Sequence, residues 1–222
     1  MVGLKIDGLR RILCLGAHSD DIEIGAGGTL LTLLQGQPGF NVTWIVFSAE
    51  GKRANEARAS ARYFLKGSLA HQVVIHGFRA SFFPYQGEAI KETFEKLKGE
   101  FQPDLVLTHY RQDRHQDHRL ISDLTWNTFR DHLILEYEIP KYDGDLGQPN
   151  CFMPLSAGIC RKKVTAITRG FETQENKHWF TQDAFLGLMR LRGVECASPT
   201  RYAEAFFARK LVLNGGKKVR NQ

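Results

Sequence analysis

No stretch of the 222-residue chain is apolar over the roughly 18 residues that a membrane-crossing helix needs. Residues 1–11 lack the apolar centre of a secretory leader, so a soluble, cytoplasmic protein is expected. There are only four cysteines, Cys14, Cys151, Cys160 and Cys196, and no C-x-x-C pair. That spacing excludes a disulfide framework or a cysteine-ligated zinc module, and the cysteines read as reduced core residues. Runs of five or six basic residues are missing, and basic residues do not alternate with aromatics. The formal net charge of +6 therefore argues for a solvated surface and not for a nucleic-acid partner. Part of that charge is in the tail at Lys217, Lys218 and Arg220, read as a frayed end. The rest supplies a mild positive field that helps to draw in an anionic small substrate. No repeat, low-complexity segment or shift of composition divides the chain, so residues 1–222 are expected to form a single domain.

What the sequence does contain is alternation. Short apolar runs at Arg11–Ala17, Asn41–Ser48, Gln72–Gly77, Asp104–His109 and His132–Ile139 read as strands. Between them, Ile22–Gln35 (ending near Gly36 and Pro38), Lys52–Lys66, Glu88–Phe101 and His118–Asp131 carry helical spacing. Further on, Lys141–Pro149 reads as a loop, Cys151–Leu155 as a strand, Arg161–Phe171 and Asp183–Arg192 as helices, and Ala205–Leu213 as a last strand. The pattern predicts an α/β fold: a Rossmann-like three-layer sandwich with a mainly parallel central sheet and strand one near its middle. Ligands in such folds sit beyond the carboxyl ends of the strands, which directs attention to the residues just after strands one, two and four.

Strand one runs into Ala17-His18-Ser19-Asp20-Asp21, and strand four into a segment from His109 through Asp113 and His115 to Asp117 and His118. Two adjacent carboxylates at a buried strand end repel unless a cation lies between them. Histidine and carboxylate donors suit zinc or another divalent ion, and three protein ligands leave a position open. The bland reading makes Asp20 or Asp21 a cap of the first helix and Asp117 a cap of the fourth.

The two clusters together resemble the PIG-L / LmbE-like family of zinc-dependent N-acetylglucosamine deacetylases, whose motifs read A-H-P-D-D-E and H-P-D-H. The likeness extends to Gly25-Ala26-Gly27-Gly28-Thr29 and to Tyr202-Ala203-Glu204-Ala205-Phe206. It implies metal ligands at His18, Asp21 and His118, a general base at Asp20 and an oxyanion-stabilising, protonated His115. Asp117 or Asp113 would orient a metal-bound histidine. Asp20 and Asp21, as neighbours on an extended segment, would point different ways. Arg53 matches an arginine that relatives place near substrate hydroxyl or phosphate groups, and the implied substrate is a small N-acetylated sugar or sugar conjugate. Homo-oligomerisation is left open. Three departures stand out: Ser19 for Pro, Ile22 for Glu, and Arg79-Ala80 where relatives often have Arg-Asp after strand three.

Three rival readings are weighed. A dinucleotide site needs G-x-G-x-x-G at the first strand–helix turn, where this chain places two carboxylates that repel a pyrophosphate. The later Gly25, Gly27 and Gly28 instead suit close helix–sheet packing. A phosphoesterase commonly uses two metals with more ligands than these clusters supply. A catalytically silent carbohydrate-binding protein of the same fold would have no need of Asp20. Lys141, Asn150 and Gln174 could roof the site, and His178, beside Trp179, could stack on a sugar. For each of these a surface or packing role is the plainer account.

Overall fold

The computed structural model describes residues 3, 4, 6, 8–36 and 39–212. Pro38, Leu213 and the basic tail residues Lys217, Lys218 and Arg220 lie outside them. Seven strands form one sheet: β1 Arg11–His18, β2 Asn41–Ser48, β3 Ala70–Ile75, β4 Leu105–His109, β5 Leu133–Tyr137, β6 Cys151–Pro154 and β7 Ala203–Ala208. Their spatial order is β3-β2-β1-β4-β5-β7-β6. The first five strands pair in parallel, whereas β7 pairs antiparallel with both β5 and β6. Among the described residues six α-helices cover it: α1 Asp21–Gly36, α2 Gly51–Phe64, α3 Gly87–Glu100, α4 Gln116–Thr128, α5 Ala157–Gly170 and α6 Gln182–Glu195. No helix among the described residues is long and apolar enough to cross a membrane.

The strands are apolar on both sides because both faces are covered. Along β1, Ile12 and Cys14 enter a cluster with Leu30 and Leu34 of α1, Phe64 of α2 and Val164 of α5. Leu13 and Leu15 alternate into the opposite cluster, with Ile90 and Phe94 of α3 and Ile121 of α4. These two cores define the three layers.

Helix α1 is drawn against the sheet where it lacks side chains. A methyl at Gly25 would lie 2.2 Å from the Tyr137 ring, and one at Gly28 would lie 2.9 Å from Glu204 Oε1. The space at Gly28 is used by an ion pair. Lys163 Nζ lies 2.6 Å from Glu204 Oε1, and both side chains are buried. The ammonium also donates to Ile24 O, while the carboxylate accepts from Gly28 N and Thr29 N at 2.7 and 2.6 Å. A buried charge pair is tolerable only when its remaining donors and acceptors are satisfied in this way.

Several boundaries differ from expectation. Helix α5 starts at Ala157, ahead of Arg161, because Ser156 Oγ caps it by accepting from Ile159 N. Helix α4 begins at Gln116 under a cap from His115, so Asp117 lies inside the first turn. The last strand opens two residues early, at Ala203. All four cysteines are unpaired, and Cys151 alone is not fully buried.

Candidate active site

Strand β1 ends on His18, the chain turns at Ser19 and Asp20, and α1 starts at Asp21. The Asp20 carbonyl accepts from Ile24 N, so Asp20 stands just ahead of the helix. The two aspartates therefore straddle a helix start and are not neighbours on an extended segment. Their side chains diverge because the backbone changes direction between them. Asp21 is held back toward the strand by the His18 N–H, which donates to its Oδ2 at 2.6 Å.

Strand β4 lies directly beside β1 and ends on His109. Connections leave β1 and β4 toward opposite sides of the sheet, which opens a crevice between their carboxyl ends. Helix α4 brings His118 to this crevice. His18 Nδ1 lies 3.1 Å from His118 Nε2 and 3.4 Å from Asp21 Oδ2, while His118 Nε2 lies 3.6 Å from Asp21 Oδ1. A tetrahedral ion with bonds of 2.0–2.1 Å places its ligand atoms about 3.3–3.4 Å apart. Asp21 approaches the two rings through different oxygens, Oδ2 toward His18 and Oδ1 toward His118, so the three residues crowd one place at spacings of the order a single ion requires. Ligand atoms of His18, His115 and His118 also lie within 4.8 Å of one another, as do those of Asp21, His109 and His118. Every such group shares members with the first, so the donors crowd one place.

Each ring is aimed by a carboxylate behind it. His18 Nε2 lies 3.1 Å from Asp117 Oδ2, and His118 Nδ1 lies 2.9 Å from Asp113 Oδ2. Asp117 further accepts from the Ser81 and Phe83 N–H groups at 2.6 and 3.1 Å. It thereby fixes the segment after β3, where Ser81 takes a left-handed φ of 65°. Asp113 is 3.0 Å from Lys141 Nζ, which also pairs with Asp145. His109, which sequence reasoning passed over as a separate participant, is fully buried and stacks on His118 with ring centroids 4.0 Å apart. Its Nε2 accepts from Ala17 N at 2.9 Å and lies 3.3 Å from Asp21 Oδ2.

The donors open on a cleft of about 280 Å³ that Asp20, Arg53, His115, Lys141, Lys177 and Trp179 also line. Arg53 donates to Ser19 Oγ through Nε and Nη2 at 3.3 and 3.2 Å. Ala80 faces the cleft where relatives often have an aspartate, and Arg79 instead lies over the Phe82 ring, 3.5 Å from its centroid. Asn150 and Gln174 do not line the cleft. Asn150 pairs with the backbone of Ala208, and Gln174 is buried. His178 is exposed, its N–H donating to Tyr142 Oη.

The electrostatics divide the two aspartates. Burial pushes Asp21 up, but His118, His109 and His18 more than reverse this and hold it well below the ordinary carboxylate range. Burial and the Asp21 charge raise Asp20, against the pull of Arg53, Lys177 and His18. Burial lowers His118 to about 3, leaving a neutral ring whose Nε2 can bind a metal. For His18 burial is outweighed by Asp21 and Asp117, which lift it to about 9. His115 is lowered by burial and by His18, and its Nδ1 accepts from Asp117 N. In its neutral form the ring proton therefore sits on Nε2. Of the departures in the first motif, Ile22 is core, while Glu23 is buried without a hydrogen-bond partner among the described residues. Burial raises its carboxyl well above the usual range.

Residues 13–129, which hold every donor named above, match the model of the family described as PIG-L: GlcNAc-PI de-N-acetylase. The chain belongs to the PIG-L family. Among curated proteins, this PIG-L chain is 29% identical over 138 residues to the uncharacterized deacetylase YaiS of Escherichia coli (strain K12), covering 58% of this chain and 74% of that protein. Among solved structures it is similar to the N,N'-diacetylchitobiose deacetylase of Pyrococcus horikoshii. That likeness has a TM-score of 0.68 and 20% identity, over 89% of this chain and 83% of the other. It is also similar to GalB, the 4-carboxy-2-hydroxymuconate hydratase of Pseudomonas putida KT2440, with a TM-score of 0.67 and 18% identity over 93% and 98% of the two chains. At these identities the structural likenesses speak for the PIG-L fold, which one hydratase and one deacetylase share.

Proposed function

We propose that this chain is a metal-dependent N-deacetylase acting on an N-acetylated sugar or sugar conjugate, with zinc or a similar divalent ion held by His18, Asp21 and His118. The observation that carries the reading is the pairing of a three-donor set, spaced 3.1–3.6 Å apart, with a separate carboxyl at Asp20 on the wall of the same cleft. A bound ion would polarise the acetamide carbonyl and acidify a water beside it. Asp20 takes the proton of the attacking water. Its raised pKa makes it a better acceptor than an ordinary aspartate, and it can later hand that proton to the leaving amine. His115 donates from Nε2 to the oxygen that becomes negative, acting as a neutral imidazole and not as the protonated ring that the sequence suggested. Asp117 and Asp113 fix the tautomers and directions of His18 and His118. Arg53 contacts the sugar portion.

A silent binding protein has no use for a carboxyl raised beside a metal site, and a two-metal phosphoesterase needs donors beyond this shared set. The deciding experiment is acetate release from a panel of N-acetylated sugars by protein loaded with zinc, compared with chelator-stripped protein. Release that depends on the ion is expected. A panel on which loaded and stripped protein are equally inert sinks the reading.

A further inference from the structure

Among the described residues, a left-handed φ is taken by the glycines Gly8, Gly39, Gly51 and Gly144 and by Ser81, Ala197 and Arg201. Of the three that are not glycine, only Ser81 lines the cleft. A β-carbon makes this conformation unfavourable, and glycine would relieve it. Such a residue persists where its surroundings over-determine it. At Ser81 the surroundings are the first turn of α4. Ser81 N donates to Asp117 Oδ2 at 2.6 Å, and Ser81 O accepts from Gln116 Nε2. Both partners lie between His115 and His118 in the chain. The Asp117 oxygen that holds the Ser81 N–H is also the one 3.1 Å from His18 Nε2. One carboxylate oxygen thus keeps the Ser81 backbone in register with His18.

These backbone contacts would serve a glycine equally well, so they do not account for a serine. What serine adds is a hydroxyl. Ser81 is exposed on the cleft wall, and among the described residues no hydrogen bond reaches its Oγ. The adjoining wall carries no charge. Ala80 presents a methyl group, and the Arg79 guanidinium is turned onto the Phe82 ring, 3.5 Å from its centroid. A neutral hydroxyl that can both donate and accept matches a sugar hydroxyl, which does the same. We propose that Ser81 is a specificity-determining residue whose hydroxyl bonds one ring hydroxyl of the bound sugar. The substrate then carries a free hydroxyl at the position that faces residues 80 and 81. That the ligand is an amino sugar rests on the deacetylase reading, whereas the contact rests on the clamped, left-handed serine.

The test pairs changes in the protein with changes in the sugar. Calorimetry on the zinc-loaded protein compares glucosamine with its 3-, 4- and 6-deoxy analogues. One analogue is expected to bind about three- to tenfold more weakly than glucosamine through loss of this contact, the range of one neutral hydrogen bond. Ser81→Ala keeps the β-carbon and removes the hydroxyl, and it should bind that analogue and glucosamine equally. Ser81→Gly should lose the same discrimination, yet unfold at a higher temperature than Ser81→Ala because the left-handed backbone is relaxed. The other two analogues should keep their wild-type ratios in both variants. A wild type that binds all three analogues as well as glucosamine overturns the contact. So does a preference that survives in Ser81→Ala, or one lost equally at all three positions, which would make the serine a merely structural residue. Acetate release from the N-acetylated series is read in parallel. A preference that depends on Ser81, without release, refutes the deacetylase reading and leaves the contact standing. Release at rates indifferent to every deoxy change does the reverse. A protein that neither binds nor hydrolyses any member of the series overturns both.

Discussion

At the scale of single residues, Asp20 and Asp21 are adjacent in sequence and opposite in environment, and substitution should separate them. Asp21→Ala removes one of three donors and should deplete bound metal. Asp20→Asn should leave metal content near wild type while acetate release falls by about 10²–10⁴. His115→Ala should likewise spare the metal and slow the reaction. Metal analysis beside steady-state kinetics decides this, and an Asp20→Asn protein with full activity would mean the carboxylates have been assigned the wrong way round. A pH effect follows from His18. Without metal its ring stays protonated up to about pH 9, above the ordinary 6.5, and that proton must leave before Nδ1 can bind an ion. Metal affinity should therefore rise with pH from neutrality to about 9 and then level off. Titration in buffers of different ionisation enthalpy should detect proton release at pH 7–8, and a flat pH profile would contradict the assignment. The sequence made His18, Asp20, Asp21 and His118 legible because two short motifs hold them. His109 was not legible as a partner, and Lys141, offered by the sequence only as part of a roof, was not legible as the partner of Asp113 and Asp145. Their contacts cross long loops, and as residue types they look like any buried histidine or surface lysine.

At the scale of elements, the alternation of periods gave the right strands and helices for a reason visible in β1. With both faces covered, every residue from Ile12 to Ala17 is buried, and such a run has little else to be than a central strand. Boundaries were less legible where a side chain sets them. A histidine cap at His115 is a poor sequence signal, and the Ser156 cap was missed beside an unremarkable Ala-Gly start. The glycines of α1 were read correctly as packing residues, but the ion pair they admit was invisible, since Lys163 and Glu204 lie far from Gly28 in sequence. Glu204→Ala should leave the Lys163 ammonium buried without its partner and cost about 3–5 kcal/mol. Glu204→Gln keeps the acceptor oxygen and should cost less. Urea midpoints of the two variants check this, and equal, small losses would show that the pair adds little.

At the scale of the whole molecule, the proposed metal site, which spans β1 and α4, would tie stability to the ion. At a free ion concentration near 100 times Kd, binding the folded state adds about 2.7 kcal/mol. For a domain of this size that corresponds to roughly 5–10 °C in Tm. Thermal unfolding with and without a chelator should show the shift, and coincident curves would mean that the donors hold no ion. The parallel part of the sheet was foreseen from sequence, whereas the antiparallel return of β7 between β5 and β6 was not, because an apolar strand carries no mark of its direction. That return sets a schedule on the ribosome. The proposed ligands His18, Asp21 and His118 are all made before the chain reaches Glu204, whose carboxylate fastens the middle of α1. At about 5–20 residues per second several seconds separate the two events. A nascent chain thus offers its metal donors while the helix that begins at Asp21 is still unfastened, and it acquires its final grip only when the last strand threads into the sheet.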